Sequence, residues 1–127
     1  MTTTTNSAPK QHLTLFVTFH IKPHHIEDWK AAHRPVWAAC AAEPECIYFD
    51  VFQNPTKPGE FRLVEVWNAS RKWFETEQLT KDYYSTLWEK SKPTWESEVE
   101  IEYWERLGEG MSYKEDFLAG GIEGDAS

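Results

Sequence analysis

The stretch Cys46–Trp67, CIYFDVFQNPTKPGEFRLVEVW, decides the fold. Its two ends, Cys46–Gln53 and Phe61–Trp67, are rich in the aromatic and β-branched residues that favour strands. Between them, Asn54–Glu60 contains the Asn, Pro and Gly residues that are typical of turns. The stretch therefore predicts two strands joined as a β-hairpin.

Patterned segments on both sides of this hairpin complete the order βαββαβ. Leu13–Ile21 (LTLFVTFHI) predicts a first strand, and residues 23–42 predict a helix. A second helical region covers about Ser70–Lys92 with a break near Thr80, and the alternating segment Glu98–Leu107 predicts the last strand. This order indicates an α+β, ferredoxin-like fold, with a four-stranded antiparallel sheet and two helices on one face.

The length and composition predict one folded domain with a tail at each end. A chain of 127 residues suffices for one domain. We place the domain at residues 12–107. Residues 1–11 are polar and without periodicity, which predicts a disordered tail, and the Gly-rich acidic residues 108–127 predict a tail or a docking arm.

The charge and the hydropathy pattern exclude several classes of partner. The formal net charge is −8, so the chain is a poor candidate for binding nucleic acid or an anionic membrane. No apolar run approaches the roughly 18 residues of a membrane span, and the N-terminus lacks the pattern of a signal peptide. Cys40 and Cys46 do not form a disulfide framework. We therefore expect reduced thiols and a cytoplasmic protein.

Apolar side chains occur on both faces of the predicted strands. On the second strand, Ile47, Phe49 and Val51 alternate with Tyr48 and Phe52. An antiparallel sheet with one wet face usually alternates apolar with polar residues. Because two helices can cover only one face, we expect the other face to pack against a second copy of the chain in a homodimer.

The first predicted helix places an ionisable ring within its apolar stripe. His33 lies near the middle of an arc of roughly 100°, the width of a core-facing stripe. The other members of the stripe are Ile26, Trp29, Val36, Trp37 and Cys40. Pro35 should bend this helix, because it lacks an N–H group and crowds the preceding turn.

Two interpretations of His33 remain open from the residues alone. A lone histidine on such a stripe is usually a core residue with satisfied hydrogen bonds. Alternatively, a neutral imidazole between Trp29 and Trp37 suits a phenolic or enolic substrate, as base or as hydrogen-bond partner of the oxygen. Burial lowers the pKa of such a ring and keeps it neutral. If the topology is right, Trp67 and Trp73 face the same space between helix and sheet.

Other candidate groups each have an ordinary structural interpretation. Asp50 and Glu65, within apolar strands, are expected near strand edges or in a dimer interface, paired with cations. Alternatively, either carboxylate orients a base such as His33 or is itself the base, and His20 is a further orienting candidate. We expect Cys40 to be a small core residue, since no nearby group indicates an activated thiolate.

The chain resembles the antibiotic biosynthesis monooxygenase family of dimeric α/β barrels. The resemblance covers about Leu13–Leu107 and is carried by VTFHIKP, AAEPECIYFDVFQNPTKPGEFRLVEVW and EIEYWERL. It implies the ferredoxin-like fold, a homodimer with facing sheets, and a ligand cavity between helices and sheet in each protomer. Some family members oxidise polycyclic aromatic phenols to quinones without metal or flavin, because an electron-rich anion can itself pass an electron to O₂.

The resemblance also suggests roles for single residues. Trp67 matches a tryptophan that several branches share, and Tyr83 in TKDYY stands where many relatives have a histidine. We find no equivalent of the histidine that ligates iron in a haem-degrading branch. The expected catalytic residues are His33, Trp67 and Tyr83, with no cofactor and no metal. The expected substrate-binding residues are Trp29, Trp37, Trp73, Cys40 and Tyr48.

The sequence thus predicts a cofactor-independent monooxygenase that takes O₂ and a small aromatic, polyketide-like phenol. Two alternatives stay open. A base in an apolar pocket also serves a decarboxylase, a cyclase or an isomerase, and the dimer could bind a small molecule without catalysis.

Overall fold

The computed structural model describes residues 12–107 and 109–110. The predictions for the two tails, residues 1–11 and 108–127, fall almost wholly outside these residues. The elements in chain order are β1 (His12–His20), α1 (Ile26–Ala41), β2 (Cys46–Asn54), β3 (Lys57–Asn68), α2 (Arg71–Trp73), α3 (Asp82–Ser91) and β4 (Glu100–Glu105).

The four strands form one antiparallel sheet in the order β2-β3-β1-β4. The two helical connections cross the same face of this sheet, so the predicted ferredoxin-like fold is confirmed. In the central pair, Leu15 lies opposite Glu65 and Phe19 lies opposite Phe61. The inner face, which the helices cover, therefore carries these four side chains in two rows.

The hairpin turn is tighter than the seven residues predicted from composition. Asn54 pairs with Lys57, so only two residues separate β2 from β3. The side-chain oxygen of Asn54 accepts hydrogen bonds from the amide and the hydroxyl of Thr56, which closes the turn. At Gly59 a Cβ atom would overlap the carbonyl oxygen of Ile21, and this close approach explains the glycine.

The prediction that Ile47 shares a strand face with Phe49 and Val51 is wrong. A register irregularity between Cys46 and Tyr48 inserts one residue into β2 and turns Ile47 outward, where 47% of it is exposed. Phe49 and Val51 share one face, as predicted, and both pack against the core.

The second helical region is divided, as predicted near Thr80. The hydroxyl oxygen of Ser70 accepts a hydrogen bond from the Trp73 amide and caps α2. A π-helical turn, Phe74–Gln78, follows, and α3 begins after a short loop. A short 3₁₀ turn that contains Pro93 then leads toward β4.

The outer face of the sheet is open in the single chain. Phe52 and Trp104 are 48% and 57% exposed there, and Phe16 meets Trp104 edge to face. In the described part of the chain, no helix has the length and hydropathy that a membrane crossing requires.

Candidate active site

A cavity of about 60 Å³ lies between α1, α3 and the inner face of the sheet. Leu15, Val17 and Phe19 of β1 form much of its floor. The walls are mainly apolar. Its polar lining residues are His33, Cys40, Glu65, Tyr84 and Tyr103, and the indole of Trp37 also borders it.

Helix α1 places His33 at one end of this cavity, where aromatic rings surround the imidazole. The imidazole is 2% exposed. Its centroid lies 4.7 Å from that of Trp29, 5.0 Å from that of Phe19 and 5.7 Å from that of Trp37. The structure thus confirms that the ring faces the interior between the two indoles.

The hydroxyl of Ser91, at the end of α3, holds the His33 ring. His33 Nε2 lies 2.7 Å from Ser91 Oγ, which also accepts a hydrogen bond from the indole N–H of Trp95 at 2.8 Å. Burial lowers the pKa of His33 from 6.5 to about 3. The ring is therefore neutral at physiological pH, and its low proton affinity favours a hydrogen-bonding role over that of a base.

Glu65 of β3 lies in the same cavity lining, far from its predicted place at an edge or in an ion pair. It is 6% exposed, and Oε1 accepts a hydrogen bond from the indole N–H of Trp67 at 3.0 Å. Burial raises the pKa of this carboxyl group from 4.5 to about 7, although the Trp67 hydrogen bond opposes the shift. Asp50, in contrast, is exposed and accepts a hydrogen bond from Tyr48.

His33 and Glu65 occupy opposite ends of the cavity. His33 packs on Phe19, whereas Glu65 lies opposite Leu15, four residues back along β1. Four residues of a strand span roughly 13 Å. The hydrogen bond of Glu65 goes to Trp67 and that of His33 to Ser91, so each side chain is held by a different partner.

Three predicted site residues line the cavity, namely His33, Trp37 and Cys40. Trp29 lies directly behind them, fully buried and stacked on Phe61 at 4.3 Å between ring centroids. The other four predicted residues do not belong to the described lining. They are Trp67 behind Glu65, Trp73 beside Trp67, Tyr48 near Asp50 and Tyr83 near Glu43.

Tyr83 belongs to a polar network behind the cavity wall. Its hydroxyl donates to Glu43 at 2.8 Å and accepts from the Gln78 amide at 2.7 Å. The same amide reaches the hydroxyl of Tyr84 at 3.0 Å, and Tyr84 lies 3.2 Å from the sulfur of Cys40. It is therefore Tyr84, the neighbour of Tyr83, that reaches the cavity.

The sequence offers Tyr83, Tyr84 and Trp88 as a lid or wall, with packing as the favoured role, and the structure places Tyr84 and Trp88 in the lining. Glu65 is favoured at a strand edge or in a dimer interface, with a role as base left open. Tyr84 and Trp88 are four residues apart, and their rings are nearly parallel at 6.1 Å. This i, i+4 spacing on α3 was the available indication that both share one helix face. For Glu65 the indication was its position two residues from both Leu63 and Trp67, which places the three side chains on one face of β3.

The small cavity thus combines apolar walls with one neutral imidazole and one buried carboxyl group, a lining that suits an apolar ligand with polar groups. Among residues 12–107 and 109–110, no three His, Cys, Asp or Glu side chains are grouped so as to hold a metal ion.

The chain belongs to the antibiotic biosynthesis monooxygenase family, whose model matches residues 13–79, more than half of the chain. It is similar to a proposed monooxygenase of Pestalotiopsis microspora, with 29% identity over 77 residues. That similarity covers 61% of this chain and 64% of the relative, so the match spans less than two thirds of the relative's length.

Solved structures support the fold independently. A protein of Nitrosomonas europaea, described as a proposed antibiotic biosynthesis monooxygenase, superposes with a TM-score of 0.71 at 19% identity over 82% of this chain and 98% of its own. The protein PA3566 of Pseudomonas aeruginosa gives a TM-score of 0.69 at 20% identity over 81% and 100% of the two chains.

Proposed function

We propose that this protein is a cofactor-independent monooxygenase that oxidises an aromatic, polyketide-like phenol such as an anthrone. The observation that carries the proposal is the aromatic-lined cavity between helices and sheet, with neutral His33 at one end. Such a site can orient a flat, electron-rich ring and exclude water from its anion. Membership of the monooxygenase family supports the same reaction class.

The reaction balances without a further reductant. Loss of one proton from the CH₂ group of an anthrone gives an anion, which passes one electron to O₂ and then joins the resulting superoxide at carbon. The peroxide takes up a proton, its O–O bond breaks as the remaining C–H proton leaves, and a C=O group forms. One O₂ is consumed, and the products are a quinone and one water.

In this scheme His33 binds the phenolic or carbonyl oxygen of the substrate. A neutral ring held by Ser91 offers a fixed hydrogen-bonding group without the extra proton that an imidazolium would return to the anion. Trp37 forms a flat wall beside it. The volume of about 60 Å³ is small for three fused rings, so binding requires the half-buried indoles of Trp37 and Trp88 to move aside.

Oxygen uptake with a panel of anthrones and simple phenols tests the reaction. We expect one O₂ consumed for each quinone formed, with metal chelators having no effect on the rate. Product formation without O₂ loss would instead identify a decarboxylase, cyclase or isomerase. Binding without any product would leave a ligand-binding protein.

His33→Ala tests the role of the imidazole. We expect turnover with the best substrate to fall about 100-fold, since one positioned hydrogen bond to developing charge is worth roughly that much. His33→Gln, which keeps a hydrogen-bonding group, should recover part of the loss. Unchanged turnover in His33→Ala would contradict the assignment, and circular dichroism controls for folding.

The open face of the sheet, where apolar side chains stand uncovered, supports a homodimer. We propose that two copies pack these faces together, with the half-buried Val64 of central strand β3 near the middle. Light scattering should give twice the chain mass for the parent and the chain mass for Val64→Glu. Ala38→Glu, on the exposed side of α1, should remain a dimer. A monomeric parent would refute the arrangement.

A further inference from the structure

We propose that Glu65 is the proton acceptor of this site, taking the acidic proton of the substrate on Oε2 while Trp67 holds Oε1. The assignment rests on the proposed function only in that the ligand is an acidic aromatic molecule. It gives the carboxyl group and the imidazole different tasks at the two ends of one cavity.

The first argument is the position of Glu65. It is the one carboxyl group among the described side chains that line the cavity, and it lies on the inner face of a central strand. Within the described part of the chain, it makes no ion pair that would neutralise it. A buried carboxylate without a cation is costly to keep for stability alone, which is why such groups cluster at functional sites.

The second argument is the geometry that Trp67 imposes. The indole N–H, 3.0 Å from Oε1, fixes the rotamer of the carboxyl group from behind the cavity wall. Trp67 is itself fully buried and packs against Phe74 and Trp73. This tryptophan is therefore a positioning residue for the acceptor rather than a ligand contact.

The third argument is that the surrounding groups stay neutral while Glu65 titrates. Burial raises the pKa of Cys40 to about 11 and that of Cys46 to about 12, and it also raises the pKa of Tyr84 and of Tyr103. His33, at the far end, is neutral above about pH 3. A carboxyl group with a pKa of about 7 is then the group here that gains and loses a proton near neutral pH.

Glu65 can carry each proton that the reaction moves. The carboxylate takes the first proton from the substrate's CH₂ or O–H group and becomes the acid. It then returns that proton to the peroxide oxygen and is a carboxylate again. In the last step it takes the remaining C–H proton as the O–O bond breaks and C=O forms, and this second proton joins the departing hydroxide as water. No other proton carrier is needed within the cavity.

The test is Glu65→Gln, with exchange measured apart from oxidation. In D₂O without O₂, the parent should catalyse exchange of the acidic C–H protons of an anthrone. Glu65→Gln should slow this exchange at least 100-fold, the range of positioned acid–base groups, while still binding the anthrone as judged by tryptophan fluorescence. Glu27→Gln removes the same charge from an exposed site on α1 and should match the parent.

The pH profile separates a proton acceptor from a structural residue. Exchange by the parent should rise through a midpoint near pH 7, as Glu65 ionises. Trp67→Phe removes a hydrogen bond that favours the carboxylate, so its midpoint should move to higher pH. A midpoint that Trp67→Phe leaves unchanged would overturn the assignment.

Failure of this inference and failure of the proposed function give different results. If Glu65→Gln binds the anthrone and exchanges or oxidises it at the parental rate, Glu65 is not the acceptor, whatever the reaction. If the parent exchanges protons through Glu65 but never consumes O₂, Glu65 is the proton acceptor and the proposed monooxygenase activity is wrong.

Discussion

Replacing Trp29 with alanine should lower the free energy of unfolding by about 3–5 kcal/mol, the usual cost of removing a large buried aromatic side chain. The indole is fully buried and stacks on Phe61 across the layer between α1 and the sheet. It also contacts Phe19 and the edge of Trp37. Its removal therefore leaves a cavity with rigid walls on both sides.

Urea unfolding followed by circular dichroism measures this loss, and Trp29→Phe is the matched control. Phenylalanine keeps a ring against Phe61 and removes an indole N–H that has no hydrogen-bond partner among the described residues. We expect Trp29→Phe to lose less than half as much stability as Trp29→Ala. Added indole should raise the thermal midpoint of Trp29→Ala by refilling the space. Equal losses in the two variants would show that packing on Phe61 is unimportant.

The same residue illustrates how far the sequence could specify the site. Helical spacing placed Trp29 and His33 correctly on the inward face of α1, because a 3.6-residue period determines which side faces the sheet. The spacing could not say which of the inward rings touches open space. That depends on how far apart α1 and α3 stand over the sheet, which is set by contacts between distant parts of the chain.

In the strands, too, the local sequence pattern predicted some features, and others depended on contacts between distant parts of the chain. Alternation predicted four strands and the shared face of Phe49 and Val51, yet one extra residue in β2 turned Ile47 to the other face. Glu65 shares a strand face with Leu63 and Trp67, which was evidence for an inward side chain. The usual preference of carboxylates for water outweighed that evidence, and the exception identifies the chemically distinctive position in the cavity.

The second large effect is a pH dependence of stability in which His33 and Glu65 oppose one another. The unfolded chain protonates the histidine near pH 6.5 and the folded chain only near pH 3, so this group stabilises the fold increasingly as pH rises between those values. The carboxyl group is protonated below about pH 7 in the folded chain and below 4.5 in the unfolded chain. Its contribution to stability is therefore lost as pH rises from 4.5 to 7.

Between pH 4.5 and 6.5 the two slopes cancel, so each single variant should expose the slope of the other group. Relative to the parent, Glu65→Gln should lose stability on acidification by up to about 1.4 kcal/mol per pH unit, and His33→Gln should lose it on alkalinisation at a similar rate. Urea unfolding at pH 4.5, 5.5 and 6.5 measures both slopes. Other ionisable groups are common to all three proteins, so the differences report these two residues. Variant curves parallel to the parent would mean that neither group changes its proton affinity on folding, and both would then have to lie in water.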